Sequence, residues 1–263
     1  AVVAILAKAG TVLLGKHSLL EFAMGGIDHN PHYGYARNPW NLKHFPGGSS
    51  SGTGVAVSAG LAAGGLGTDT GGSIRQPSSY CGIVGLKPTR GLVCMGGIFP
   101  MSAFCDTVGP MTRTVTDNAL LLEGMLGAEP GSYTKSLAGE DLTGVRVGVP
   151  YAWIERDSMA DVADVVLAAI DVLRGLGATI VNVPLQPTQE HYAAYRDIVF
   201  YEAAIIHEPH LAQHADEYGA YARERVESGV GITHEEHAKA FETVRDLTSA
   251  ALTSMNGVDV LAL

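Results

Sequence analysis

The sequence predicts an α/β fold, on three observations. Strand-like runs at Gly144–Pro150 and Gly177–Val183 flank an amphipathic helix over Asp161–Leu176, the pattern of a βαβ unit with a right-handed crossover. Thr233-x-x-Glu236 reads as a capping box opening a helix that runs past Ala251 and leads to a strand at Val258–Leu263. Apolar residues make up 46% of the 263 and charged residues 17%, the balance of a chain that folds around a core.

The elements follow in order. Residues 2–9 read as a helix closed by Gly10, and Thr11–Leu14 as a short buried strand. Residues 25–48 are rich in Gly, Asn, Pro, Tyr and His and read as an irregular loop. Gly52–Ala63 is almost wholly small residues, which suits a helix packed closely on all sides. Gly64-Gly65 ends it, and Leu66 begins a strand. Residues 114–127 form an amphipathic helix, with Thr114 or Thr116 as cap, Asp117 in the first turn and Gly127 at its end. In the helix at 161–176, Val162, Val165, Val166, Ala169, Ile170, Leu173 and Leu176 share one face.

A net charge of −10 argues against nonspecific nucleic-acid binding, which needs basic surface. No apolar run is long enough to span a membrane, and the first residues carry no basic leader or cleavage site. Three cysteines, Cys81, Cys94 and Cys105, show no C-x-x-C spacing and read as small core residues with free thiols. These features together predict a cytoplasmic protein.

Two glycine-rich clusters carry the chemistry: Pro46-Gly47-Gly48-Ser49-Ser50-Ser51-Gly52 and Gly67-Thr68-Asp69-Thr70-Gly71-Gly72-Ser73-Ile74-Arg75. Glycines let a backbone approach a reacting centre and turn its N–H groups inward. The first cluster lacks the G-K-[S/T] of a phosphate loop, and Ser49 does not stand in a G-x-S-x-G elbow. A flexible linker is disfavoured by the helix-like run that follows.

With Cys81-Gly82-Ile83-Val84-Gly85-Leu86-Lys87-Pro88-Thr89, these clusters strongly resemble the amidase signature family. The flanks at Leu14-Gly15-Lys16, Glu21-Phe22-Ala23-Met24-Gly25, Arg37-Asn38-Pro39-Trp40 and Asp106–Val115 agree, so the close match covers about residues 10–125. The resemblance implies a mixed β-sheet flanked by helices on both sides, residues 1–263 being one such domain with parts absent at each end. It implies hydrolysis of a carbon–nitrogen amide bond through an acyl-enzyme. Ser73 matches the nucleophile, and Ser49, after a cis peptide bond, matches the serine bridging nucleophile and base. The N–H groups around Thr70, Gly71 and Gly72 match the oxyanion hole. Ser50, Asp69 and Arg75 match loop supports.

The roles suit the chemistry. A serine hydroxyl needs an adjacent base to become nucleophilic. One aimed donor to an oxyanion is worth roughly 2.7–4 kcal/mol. The family's base is a lysine held neutral, from a Val-Lys-Asp-like segment upstream. No such segment occurs here, and Lys16 and Lys87 match other family positions, so the base is expected outside these residues. The resemblance calls for no metal or organic cofactor. It implies a small amide as substrate, no direct nucleic-acid or membrane partner, and leaves a homodimer open.

His207-x-x-His210-x-x-x-His214 has ligand-like spacing, but Pro209 interrupts it, and these are read as surface histidines. Tyr33, Tyr35, Met24, Phe99 and Met101 lie in segments suited to lining a substrate pocket or to packing. Two further functions stay open. One is a glutaminase-type subunit of a tRNA-dependent amidotransferase, which Glu21–Gly25 favours and Ile27–Tyr33 does not. The other is a non-catalytic amidase-like scaffold, against which the retained Ser49, Gly71, Gly72 and Ser73 argue.

Overall fold

The computed structural model describes residues 1–24, 30–137, 139 and 141–263, and within them the chain divides into two units. The first comprises Ala1–Ala138 and Ile198–Ile232, the second Gly139–Asp197 and Thr233–Leu263.

The first unit is built from α1 (Val2–Lys8), α2 (Ser51–Ser58), β1 (Gly64–Asp69), α3 (Arg75–Cys81), β2 (Val84–Gly85), β3 (Thr107–Thr112) and α4 (Val115–Leu126). Its sheet is antiparallel in the order β1-β3-β2, with Gly64 opposite Thr112 and Asp69 opposite Thr107. All six residues of β3 are buried. A side chain at Gly109 would lie 2.0 Å from the Leu86 carbonyl oxygen, so only glycine fits this crossing. Val2 and Leu6 of α1 pack with Leu122 and Met125 of α4 and with Val93 and Val108. Thr114 caps α4 by accepting from the Asp117 N–H, and Gly127 ends the helix in the left-handed region. α2 is buried on nearly every side, as its small residues allow: a Cβ at Gly52 would meet the Ser18 carbonyl oxygen at 2.4 Å.

The second unit holds the expected βαβ run. It consists of β4 (Arg146–Val149), α5 (Tyr151–Asp157), α6 (Ala160–Gly175) and β5 (Thr179–Asn182). α7 (Gln189–His214) begins in this unit, and its residues from Ile198 onward belong to the first, with α8 (Ala220–Val230). α9 (His234–Ser254) and β6 (Val260–Leu261) complete the second unit. Its sheet is parallel, in the order β5-β4-β6. Val147, Val149, Ile154, Ile170 and Ala178 form its core. Both halves of the Thr233–Glu236 capping box are present at the start of α9.

Five local expectations are revised. Thr11–Leu14 forms no strand, and Val12 is 82% exposed: an apolar run becomes a strand only where a neighbour pairs with it, and no described strand does. Gly64-Gly65 opens β1 and does not merely stop α2, which ends at Ser58. α7 continues through Pro209. His207 on that helix is fully buried, because its face of α7 points into the first unit's core with Ile198, Val199 and Ala203. Of the cysteines, Cys81 is buried and Cys94 is exposed.

Candidate active site

The two serine clusters meet through their backbones. The Ser50 N–H donates to the Ser73 carbonyl oxygen at 3.2 Å. The Gly48 N–H donates to Gln76 Oε1 at 3.0 Å, and a Cβ at Gly47, whose φ is +81°, would stand 2.6 Å from Pro77 Cα. Contact this close explains the glycines: any side chain would push the first loop off the start of α3. The Gly48–Ser49 peptide bond is cis, as the resemblance implies. Ser49 is 1% exposed, and its carbonyl accepts from the Leu20 N–H at 3.1 Å.

Ser50 ties the first cluster to the strand beneath the second. Its hydroxyl accepts from the Thr68 N–H at 3.1 Å and donates to the Thr68 carbonyl at 3.3 Å. Thr53, one turn on, donates to the Leu66 carbonyl and contacts His17 Nδ1 at 3.0 Å. Burial pushes the His17 imidazole below its ordinary value.

Asp69 winds the second loop. Its carboxylate is buried at the end of β1. Oδ1 accepts from the Gly72 N–H at 2.7 Å and from Arg75 Nη2 at 2.9 Å. Oδ2 accepts from the N–H groups of Ile74 and Arg75 and from Arg75 Nε. Burial opposes its ionisation, but the hydrogen bonds and charge of Arg75 and the N–H groups of Gly72 and Ile74 outweigh it and hold the carboxyl below the usual range. The Gln76 N–H closes onto the Gly72 carbonyl at 2.7 Å. Ser73 is thereby delivered half-exposed at the threshold of α3.

The expected donors divide. The Gly72 N–H is taken by Asp69 and serves the loop. No described residue accepts from the N–H of Gly71 or Ser73. The Thr70 hydroxyl donates to Asp106 Oδ1 at 2.6 Å, a contact that the sequence motif around Asp106 contained but did not reveal. The Gln76 side chain that holds the Gly48 N–H likewise carries no local signal of that partner.

A cleft of about 1250 Å³ opens beside the first cluster, lined among others by Lys16, His17, Phe22, Tyr33, Phe99 and Tyr218. Neither Ser49 nor Ser73 lines it; Ser18 and Leu19, which do, belong to the segment whose Ser18 carbonyl and Leu20 N–H bond to Gly52 and Ser49. Of the five residues considered for a pocket, Tyr33 and Phe99 line the cleft, while Met24 and Met101 are buried. Phe22 has a left-handed backbone (φ 49°) and stacks on Tyr218 at 5.0 Å, edge-on to His207. His207 Nδ1 lies 2.8 Å from the Tyr218 hydroxyl, and Nε2 has no hydrogen-bond partner among the described residues. Burial, with nearby His210 second, pushes this imidazole down to about 4.

Among the described residues no lysine ammonium bonds to Ser49 or Ser73; Lys87 Nζ donates to the Pro88 carbonyl. Among them no cluster of His, Cys, Asp and Glu is arranged for a metal, and no helix is long and apolar enough to cross a membrane. Residues 25–29, which carry part of the likeness and unlikeness to tRNA-dependent amidotransferases, lie outside the described residues.

Comparison with known proteins agrees with the fold and places the chain in a family. The family model described as Amidase matches residues 1–262. A curated relative, a glutamyl-tRNA(Gln) amidotransferase subunit of Lysinibacillus sphaericus, is 44% identical over 200 residues, which are 72% of this chain and 41% of the relative. A solved amidase structure superposes with a TM-score of 0.90 at 34% identity, covering 99% of this chain and 58% of its own. The corresponding glutamyl-tRNA(Gln) amidotransferase structure from Thermotoga maritima gives 0.77 at 32% identity, covering 99% of this chain and 59% of its own. The chain spans about two fifths of the curated relatives it matches and under three fifths of these structures.

Proposed function

The chain belongs to the amidase signature family and has its α/β fold, and from that premise we propose that the protein cleaves carbon–nitrogen amide bonds through an acyl-serine intermediate. Residues 1–263 are taken as part of one amidase domain. Ser73 Oγ attacks the amide carbonyl. Its proton passes to Ser49 and on to a lysine that this reading places outside these 263 residues. The N–H groups of Gly71 and Ser73 receive the oxyanion, with Thr70 beside them, while Gly72 holds the turn through Asp69. The tetrahedral intermediate then expels the amine, which takes up a proton by the same relay. Water attacks the acyl ester in turn, releases the carboxylic acid and restores the Ser73 hydroxyl. No metal or organic cofactor is called for by this route.

The observation that carries the reading is the bond from the Ser50 N–H to the Ser73 carbonyl. It seats the two serine loops on each other and so supports a relay in which residues 49 and 73 share a proton, although among the described residues the two hydroxyls are not hydrogen-bonded to each other. Hydrolysis of simple amides by the full-length protein, lost on Ser73→Ala, tests it. Residual activity beyond about a thousandth would count against Ser73, since losing the nucleophile of such a site costs about a millionfold.

A second reading is favoured by the names of the curated relatives: a glutaminase-type subunit that passes ammonia to a partner. It uses the same serines. Glutamine-dependent ammonia release, raised by a co-purifying partner protein, distinguishes it from a stand-alone amidase.

A further inference from the structure

The register of β1 and β3 places Asp69 opposite Thr107, so the next pair beyond the ladder is Thr70 and Asp106. That pair is joined through side chains: Thr70 Oγ1 donates to Asp106 Oδ1 at 2.6 Å. The other oxygen, Oδ2, accepts from the N–H groups of Met101 at 2.8 Å and Ser102 at 3.1 Å, and the Asp106 N–H returns to the Ser102 carbonyl at 3.0 Å. Asp106 is therefore not a loose acceptor. Its own loop holds it as well, through these three bonds to Met101 and Ser102.

That loop is in turn pinned by a second carboxylate. Ser102 Oγ donates to Glu202 Oε2 at 2.5 Å and accepts from the Cys105 N–H at 3.1 Å, and Glu202 Oε2 also accepts from the Phe104 N–H at 3.2 Å. Ser102 is fully buried. The chain of contacts runs from α7 through the 101–106 loop to the residue at which the backbone leaves β1 and turns toward Ser73.

We propose that Asp106 is a positioning residue for the acylation step, acting through the Thr70 hydroxyl to fix the direction of the backbone at Thr70–Gly71, and so the aim of the N–H groups proposed to receive the oxyanion. Asp69 braces the same turn from inside; Asp106 braces it from outside. With the hydroxyl committed to a carboxylate, Thr70 takes no part in the proton relay. A charge-assisted bond of this length holds its geometry better than a neutral one. Misaiming a catalytic donor by about an ångström costs up to about a hundredfold in rate. The inference rests on the proposed amidase reading.

The test uses the full-length protein and four forms: wild type, Thr70→Val, Thr70→Ser and Asp106→Asn, plus the Thr70→Val/Asp106→Asn double variant. Steady-state constants on one amide are compared with thermal melting points. Thr70→Val is expected to lower kcat about tenfold or more with KM changed less than about twofold, because the loss falls on the transition state. Thr70→Ser, which keeps the hydroxyl, is expected to restore kcat to within about threefold. The losses in the double variant should be less than additive, since Thr70→Val already cuts the hydroxyl through which Asp106 is proposed to act. Unchanged kcat in Thr70→Val, failure of Thr70→Ser to rescue, or additive losses in the double variant would overturn the proposal. Should a variant lose its folded melting transition, the comparison of Thr70→Ser with wild type still decides it: a serine variant slowed more than about threefold in kcat overturns it. An inactive wild type whose Ser73 takes no serine reagent overturns the amidase reading, and this one with it. An active wild type with indifferent Thr70 variants overturns this inference alone.

Discussion

Ser50 and Ser73 are joined backbone to backbone: the N–H of one donates to the carbonyl of the other at 3.2 Å, across a stretch of sequence that includes all of α2 and β1. Among the described residues no hydrogen bond engages the Ser49 or Ser73 hydroxyl, while the Ser50 hydroxyl is spent on Thr68. The proposed reading therefore gives these three serines separable duties. Ser50→Ala should lower stability by about 1–3 kcal/mol through the unpaired Thr68 N–H, whereas Ser49→Ala should leave the melting point nearly unchanged and remove most turnover. Melting curves and initial rates on both variants check this. A Ser49→Ala protein with wild-type turnover would remove Ser49 from the relay.

Asp69→Asn should unwind the turn that presents Ser73. The neutral amide cannot accept from Gly72, Ile74 and Arg75 together, and the cost is expected at about 3 kcal/mol or more. The pH dependence follows from the lowered carboxyl. Because the folded value lies below the unfolded one, the unfolded chain binds the proton first as pH falls. The contribution is complete above the ordinary aspartate value of about 3.9 and is lost as pH drops through the lowered folded value. Urea midpoints of wild type and Asp69→Asn, measured between about pH 6 and pH 2.5, should converge at the acid end.

His207 predicts a second, separate window. Its folded value of about 4 lies below the ordinary value of about 6.5, so protonation favours the unfolded chain. Its stabilisation is full above about pH 6.5 and declines as pH falls toward about 4, by about 3 kcal/mol in all. Replacing it with Phe should flatten the stability profile in that range. An unchanged slope across that window would show that His207 does not titrate there.

Gly47→Ala should be costlier than a usual surface substitution. Its φ of +81° already disfavours a side chain, and the added Cβ would collide with Pro77 backbone at 2.6 Å. A loss of about 2–4 kcal/mol is expected, with turnover falling further than stability because the strain is applied between the two serine loops. Chemical denaturation together with kcat measures both.

Much of this was legible in the sequence. The βαβ run, the Thr114 and Thr233 caps and the glycines of both clusters are local signals, written in periodicity and cap chemistry, and they appear where those signals put them. The resemblance located the two loops. What stayed hidden depends on distant partners. Thr11–Leu14 has the composition of a strand but no described neighbour to pair with. His207 sits in a polar stretch of α7, and only packing against Phe22, Phe99 and Tyr218 makes it a core residue. The glycine run suggests that Gly72 points its N–H at a substrate, and nothing local shows that Asp69 claims it. Asp106 lies in a motif that resembles the family's, yet its link to Thr70 emerges only from the β1–β3 register.

The most direct measurement is peptide mapping of the full-length protein after reaction with a fluorophosphonate, a reagent that adds to an activated serine hydroxyl. The account predicts one adduct, on Ser73, absent in Ser73→Ala and formed at least about tenfold more slowly in Ser49→Ala. An adduct on another residue, or none in a folded protein that still hydrolyses amides, would contradict it.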